Sequence, residues 1–469
     1  MNQALADFLD RWPAQNQIAG YSATILGPDG PLFMHSAGVM NPAGRKPDQD
    51  TLFGVGSLSK GITALCACIL CAEGRLDLEA PVQDYVPDFR LPGQPAEAVS
   101  VRSLLAHRSG LPPMEALEWA SAMNSTGRRI DEETARLRAS APGRMDSLAE
   151  LLSYIAACPH PPVGAPGEHF SYSNEGYAVL SAVIDAAAGQ SLEDFMAERV
   201  FAPLGMTRSL LDSGVDASRA LSGGNLTALF TFEDGAQTCD EGWSILPPYR
   251  GCAMVKSTSR DMAAFYRALA AYGLHEGRQA IPREAVELML GAAHPLSPRP
   301  QMCLGLYKRL DRGHVLCEHG GALHGVAAKG ALLLGEGIGL ALLSNQSGGA
   351  LEPAMDAMMN AVLGRPLEAR SEPFVPSGRA FSAPQMLEGA YGCYEGLPDL
   401  LQVFASPELY ALRGGEALRL VHCGETRFAA LSADGTLAAR LTFLIRDAKA
   451  WGVRVGSRIF LREPAQDPA

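Results

Sequence analysis

Hydrophobic and polar positions change their spacing several times along the chain. Gln3–Trp12 reads as a helix. Tyr21–Leu26 and Leu32–Ala37 then alternate or run apolar on either side of Gly27-Pro28-Asp29-Gly30, the pattern of a hairpin and its turn. From Ser57 the pattern predicts a helix reaching about Glu73, where Gly74 stops it. Residues 100–270 read as mostly helical, with Pro and Gly breaks. Gly320 to Ser344 returns to strand, with Ala327–Leu334 and Ile338–Ser344 joined by Gly335-Glu336-Gly337. Strands from both ends with helices between them predict a sheet lobe and a helical lobe, and a cleft between two lobes is a favoured place for a site.

Beyond this the pattern shortens. Residues 365–384 hold four prolines and little periodicity, which predicts a linker. Eight short strand candidates follow: Gly392–Gly396, Leu400–Ala405, Leu409–Leu412, Ala417–His422, Arg427–Leu431, Ala438–Ile445, Gly452–Val455 and Arg458–Leu461. Gly, Asp or Glu turns separate them, the signature of a small antiparallel barrel. The expected organisation is α+β: a domain over 1–364, the linker, and an all-β barrel over 385–469. Stability or dimerisation is the barrel's expected role, ahead of hanging a loop over the cleft to limit substrate size.

Composition narrows the partners. The formal net charge is -12 and no run of five basic residues occurs, which excludes a nucleic-acid partner. The apolar stretches Ile62–Cys71 and Ala331–Ser344 fall short of the roughly 20 residues a membrane span needs. The N-terminus carries Asp7 and Asp10 where a secretory signal would be apolar, so the expectation is a cytoplasmic protein with no membrane partner. The ten cysteines read as reduced structural thiols, three of them in Cys66-Ala67-Cys68-Ile69-Leu70-Cys71. Cys68-x-x-Cys71 lacks a second Cys or His pair at ligand spacing, so neither metal nor cofactor is expected. The expected ligand is a small molecule or short peptide, and a homo-oligomer stays open.

Ser57-Leu58-Ser59-Lys60 places a hydroxyl and an amine three residues apart on a helix's first turn. The Ser57 N–H is then among the unpaired donors of the helix start, able to hold an oxyanion. The dipole and burial should lower the Lys60 pKa toward a usable base for the serine. Alone the pattern is weak, and an N-capping Ser beside a solvated Lys is the plain alternative. Tyr172 and Asn174 stand two apart in Phe170-Ser171-Tyr172-Ser173-Asn174, so in extended chain both face one way, a phenol for proton transfer and an amide for a substrate carbonyl. His319-Gly320-Gly321-Ala322 precedes a strand pattern. Its glycines would let a substrate backbone lie along the strand edge, and the Ala322 N–H would be a second oxyanion donor, a group whose loss typically costs about a hundredfold or more in rate. His319 alone reads as a structural histidine, as does His324.

Together these motifs resemble the beta-lactamase-related serine hydrolases: class C beta-lactamases, D-alanyl-D-alanine carboxypeptidases, D-aminopeptidases and related esterases. The match runs from about Ile18 to Asn345, with Ser57-x-x-Lys60, Tyr172-x-Asn174 and His319-Gly320-Gly321 in the family's order and Ser103–Pro112, Pro203–Met206 and Val255–Met262 in support. The resemblance implies a beta-lactamase/transpeptidase-like fold and an acyl-enzyme route, with Ser57 attacking, Lys60 and Tyr172 handling protons, and the Ser57 and Ala322 amides holding the oxyanion. Asn174 and His319-Gly320-Gly321-Ala322 would bind substrate.

Two departures bear on specificity. His319 stands where class C beta-lactamases carry Lys, and looks like the D-aminopeptidases. Met114–Cys158 is longer than the family minimum, and its Arg-rich stretch, Arg128–Arg144, is expected near the cleft mouth. The barrel resembles the lipocalin-like modules appended to several peptidases of this family. The first reading is a hydrolase of amide or peptide bonds in D-amino-acid-containing or otherwise unusual substrates. The second is a carboxylesterase or lactonase with the same serine, and the third a catalytically idle binding protein on the scaffold.

Overall fold

The computed structural model describes residues 2–124, 130–233, 236–240, 242–291, 301–370, 374–406 and 408–464. Leu5, Leu9 and Trp12 are buried on one face of helix α1 (Asn2–Asn16), which runs past Trp12 because Pro13 does not end it. A helical proline cannot donate to the carbonyl four residues back, here that of Leu9. The buried Tyr21 hydroxyl donates to that carbonyl instead, at 3.0 Å, and repairs the gap.

Tyr21 lies on β1 (Gly20–Gly27), which forms the expected hairpin with β2 (Gly30–Gly38). Three longer helices dominate the middle of the chain: α2 (Ser59–Ala72), α3 (Asn174–Ala188) and α4 (Ser259–Ala270). Five strands follow: β3 (Gln301–Met302), β4 (Tyr307–Asp311), β5 (His314–Leu323), β6 (Val326–Leu333) and β7 (Ile338–Ser344). They form one antiparallel sheet in the order β3-β4-β5-β6-β7-β1-β2, where β1 joins the two chain ends through Tyr21 opposite Ser344. α1 and α5 (Glu352–Val362) cover one face, and α4 covers the other. With helices on both sides, β7 is buried at every position, which is why Ile338–Ser344 reads as an unbroken apolar run.

α2 is the spine of the helical lobe. Ser59 through Leu70 are buried without a polar face, and the ten cysteines are all free thiols. Burial pushes the Cys66 and Cys68 thiols up, so they pack as small apolar groups. The stretch expected to be mostly helical also carries a hairpin, Leu229–Glu233 with Ala236–Asp240. It attaches to the sheet lobe through Phe230 N to Asn345 O at 2.8 Å, a tertiary contact that local propensity does not announce.

The C-terminal strands are β8 (Gly389–Cys393), β9 (Asp399–Phe404), β10 (Tyr410–Arg413), β11 (Glu416–His422), β12 (Arg427–Leu431), β13 (Leu437–Arg446), β14 (Lys449–Val455) and β15 (Arg458–Arg462). They close into an eight-stranded barrel, with Tyr391 on β8 opposite Arg462 on β15. Tyr391, Phe428, Phe443 and Phe460 fill its interior. The β14–β15 turn docks on the preceding lobe, where Tyr172 N donates to Ser457 O at 2.8 Å and Ile459 N to Ser171 Oγ at 3.3 Å. The fold is thus the α+β, beta-lactamase/transpeptidase-like arrangement with a small all-β barrel that the sequence implied. No helix among the described residues is long and apolar enough to cross a membrane.

Tyr21→Phe keeps the ring edge-on to Trp12 but strands the Leu9 carbonyl in the core. The expected loss is about 1–3 kcal/mol of stability, read as a lower urea midpoint at unchanged slope.

Candidate active site

Gly56 has φ +52°, in the left-handed region that suits glycine, and opens a 3₁₀ turn over Gly56–Leu58 ahead of α2. Ser57 therefore precedes the α-helix, where the sequence placed it inside the first turn. Ser59 is the cause: its buried hydroxyl donates to Gly56 O at 2.7 Å and accepts from Val255 N at 3.1 Å, tightening the chain there. α2 then brings Lys60 back toward Ser57. The fully buried Lys60 amine donates to Ser57 Oγ at 3.0 Å, Asn174 Oδ1 at 2.9 Å, and the carbonyl and sulfur of Cys252 at 3.1 and 2.9 Å.

Tyr172 and Asn174 are not both in extended chain, as the sequence suggested. Ser173 caps α3, its hydroxyl accepting from Gly176 N at 3.0 Å, and Asn174 is the first helical residue. Both nevertheless meet Lys60, whose amine sits 4.9 Å from the Tyr172 ring centre. The other face of that ring stacks on His107 at 4.2 Å, and His107 Nδ1 accepts from Ser173 N at 3.0 Å, so one imidazole fixes both the phenol and the helix entry.

β5 supplies the facing wall. Its pairing with β4 ends at Tyr307 opposite Glu318, so among the described residues His319–Leu323 has a strand neighbour, β6, on one side only. This leaves the edge the sequence anticipated. Gly321, however, serves the nucleophile's turn and not the edge: a Cβ there would stand 2.1 Å from Val55 O and 3.2 Å from Ser57 N. A Cβ on Gly56 would likewise meet Ala322 N at 2.8 Å, so the Ser57 and Ala322 amides lie close together across the turn. Gly320 faces open space, with nothing nearer than Ala328 O at 3.9 Å.

The cleft, of about 720 Å³, also contains residues the sequence reading missed. From the barrel come Glu395 and Arg458. Glu395 Oε1 accepts from Asn174 Nδ2 at 2.9 Å, while Arg458 pairs with the same carboxylate and lies 4.3 Å over the Tyr172 ring. The barrel thus reaches the cluster around Ser57, Lys60 and Tyr172, a contact the sequence reading had ranked behind a role in stability or dimerisation. Cys252, also missed, contacts Lys60 and Asn174. In the long insertion, residues 125–129 lie outside the described residues, including Arg128 of the Arg-rich stretch. Its helix Glu132–Ser140 lines the cleft with Glu133, Thr134 and Leu137, and Arg138 points away to Ala122 O at 2.7 Å. His324, in the cleft wall, meets Asp240 at 2.7 Å. Among the described residues no cluster of His, Cys, Asp or Glu could hold a metal.

A sequence model of the family described as Beta-lactamase matches residues 2–364. The chain belongs to the beta-lactamase family. Penicillin-binding protein 4* of Bacillus subtilis (strain 168) is 32% identical over 195 residues, 40% of this chain and 38% of that protein. The D-aminopeptidase of Brucella anthropi is 27% identical over 373 residues, 77% of this chain and 62% of the relative. The chain therefore spans less than two thirds of the length of these curated relatives. In fold it is similar to the crystal structure of SurE, with a TM-score of 0.73, 21% identity and 98% of each chain covered.

Charge states in this beta-lactamase-family cleft differ from those the sequence suggested. Burial, the largest influence on Lys60, works against its charge, but Cys252 and Tyr172 oppose it by charge and hydrogen bonding, and the ammonium is held above its ordinary value. The expected lowering by dipole and burial is not found. His319 behaves oppositely: burial first, then the Lys60 charge, lower it from 6.5 to about 3. Its Nδ1 donates to Gly320 O at 2.5 Å, which leaves Nε2 a buried acceptor without a hydrogen-bond partner among the described residues. The imidazole is thus a neutral acceptor at this edge of the cleft.

Between pH 6.5 and about 3 the unfolded chain binds a proton at His319 that the folded chain does not, so stability falls as pH drops through that window. His319→Gln is expected to flatten part of that fall, His107 supplying a similar contribution that remains. Melting temperatures of both proteins across this range check it, and parallel curves would refute the assignment.

Proposed function

We propose that the protein hydrolyses amide or peptide bonds through an acyl-enzyme on Ser57, acting on aminoacyl amides or short peptides with a free amino terminus, D-residues foremost. In this reading 1–364 is the hydrolase domain, 365–384 a linker and 385–469 a barrel that completes the cleft.

Ser57 Oγ attacks the carbonyl while the Ser57 and Ala322 N–H groups receive the oxyanion. Lys60 donates to Ser57 Oγ at 3.0 Å, so its nitrogen is not free to take the hydroxyl proton in that geometry. Tyr172 takes the proton as a phenolate, an anion that the Lys60 ammonium and Arg458 guanidinium against its ring stabilise before the transfer. Tyr172 then returns the proton to the leaving amine, and water, activated the same way, releases the acid. Asn174 orients the substrate carbonyl.

The observation that carries the amide reading is Glu395, a carboxylate 2.9 Å from Asn174 and beside the nucleophile's cluster. Arg458 shares this carboxylate, and an α-ammonium next to the scissile bond, a group that simple acyl esters lack, would join that pair. The neutral His319 Nε2 supports the same reading, since it accepts from an N–H and offers nothing to a carboxylate.

Ser57→Ala should abolish covalent labelling by a fluorophosphonate in intact-mass spectra, and Lys60→Ala should slow it by about a thousandfold or more. Comparing kcat/KM for D- and L-aminoacyl amides with short acyl esters then decides substrate class. D-aminoacyl amides are expected to lead once each is scaled to its uncatalysed rate. A lead for neutral esters would favour the carboxylesterase or lactonase reading, and unchanged labelling of the alanine variant would end every reading that uses Ser57.

A further inference from the structure

A second chamber, of about 820 Å³, lies beyond the wall made by His319 and Tyr307, whose rings stand 5.4 Å apart. It shares Tyr307, His319, Gly320, Lys329, Glu352 and Ser457 with the catalytic cleft, so the two spaces are contiguous across one layer of side chains. Its remaining walls include the segment bearing Phe170, the sheet end bearing Met302, Met355 of α5, barrel strand β13 from Leu437 to Arg440, and Arg454 of β14. These walls are largely apolar.

The charges in the chamber run against the rest of the protein. In a chain of net charge -12, the described residues that line it include Arg108, Lys329, Arg440 and Arg454 and two carboxylates, Glu318 and Glu352. Both carboxylates are already engaged, Glu318 with Arg309 at 2.7 Å and Glu352 with Lys329 at 2.9 Å. The guanidinium of Arg454, on β14, forms no ion pair or hydrogen bond among the described residues. It lies 6.0 Å from the centre of the Phe170 ring. Burial depresses it, with Tyr307 alone working the other way. A partly buried guanidinium without an anion is costly, and its planar fork of donors matches a carboxylate in geometry and charge.

We propose that this chamber is a second subsite, taking an apolar peptide segment that ends in a free carboxylate, with Arg454 binding that carboxylate. The inference rests on the peptide reading of the cleft: the amino-terminal residue acylates Ser57 and the leaving peptide runs past His319 into the chamber. Glu395 and Arg454 then hold opposite ends of one short zwitterionic substrate, and peptide length is limited by the span between them.

The test uses the full chain and the peptides D-Ala-Leu, D-Ala-Leu-Leu and D-Ala-Leu-Leu-Leu, each as free acid and as C-terminal amide. Each is assayed for protection of Ser57 from a fluorophosphonate. At one of these lengths or more, the free acid should protect at about tenfold lower concentration than its amide, the fold-change of a charge-assisted pair. Arg454→Met should bring the acid-to-amide ratio to unity, with near-ultraviolet circular dichroism verifying the fold. Leu437→Trp, which fills the barrel wall without altering charge, should weaken acid and amide alike. Equal protection by acid and amide at every length, or a ratio that survives Arg454→Met, overturns the proposal. Protection is read whether or not D-alanine is released, so failure to release it defeats the peptidase reading without touching this test.

Discussion

A lysine ammonium with no exposure to water and no carboxylate against it constrains everything around it. Lys60 keeps its charge because Cys252 and Tyr172 offset its burial, and its amine finds four acceptor atoms on Ser57, Asn174 and Cys252, which come from a turn, a helix start and a short helical turn far apart in the chain. A buried charge left without such acceptors costs several kcal/mol, so α2, α3 and the Arg250–Ala253 turn must converge for the lobe to fold at all. The same convergence places a hydroxyl, a phenol and an amide within one small volume. Stability and chemistry make the same demand here.

Two contacts then aim that cluster. The Val55–Ser57 turn packs against β5 so closely that Gly56 and Gly321 admit no side chain, and this brings the Ser57 and Ala322 backbone amides close together. His107 stacks on Tyr172 from behind while accepting from Ser173 N, which sets the phenol by packing and the α3 entry by hydrogen bond. Neither contact touches a substrate, yet both decide where the reacting atoms sit.

The barrel adds charge that the two-lobed domain lacks at this point. Glu395 and Arg458 come from its β8–β9 and β14–β15 turns, and in an up-and-down barrel such alternate turns fall at the same end. That end docks on Ser171 and Tyr172 through backbone hydrogen bonds, so the carboxylate and guanidinium reach the cleft together. The same docking encloses the neighbouring chamber between β13, β14 and the sheet, and puts Arg454 on its wall.

By itself the sequence determined what local chemistry and periodicity encode. The β1–β2 hairpin, α2 stopping near Gly74, the apolar run of β7 and the eight barrel strands follow from spacing and turn residues, with ends displaced by a few residues at most. The motifs around Ser57, Tyr172 and His319 were legible because each is short and contiguous. The continuation of α1 past Pro13 was not, since it depends on a hydroxyl donated from a strand. The charged state of Lys60 and the neutral state of His319 were not, since each is set by burial and by partners from other elements. Glu395, Cys252 and Arg454 carry no local signal, being ordinary residues in a turn, a short helix and a strand. Only the packing of barrel against lobe and of α2 against α3 gave them their neighbours, because electrostatic roles are fixed by distance in space and not by distance along the chain.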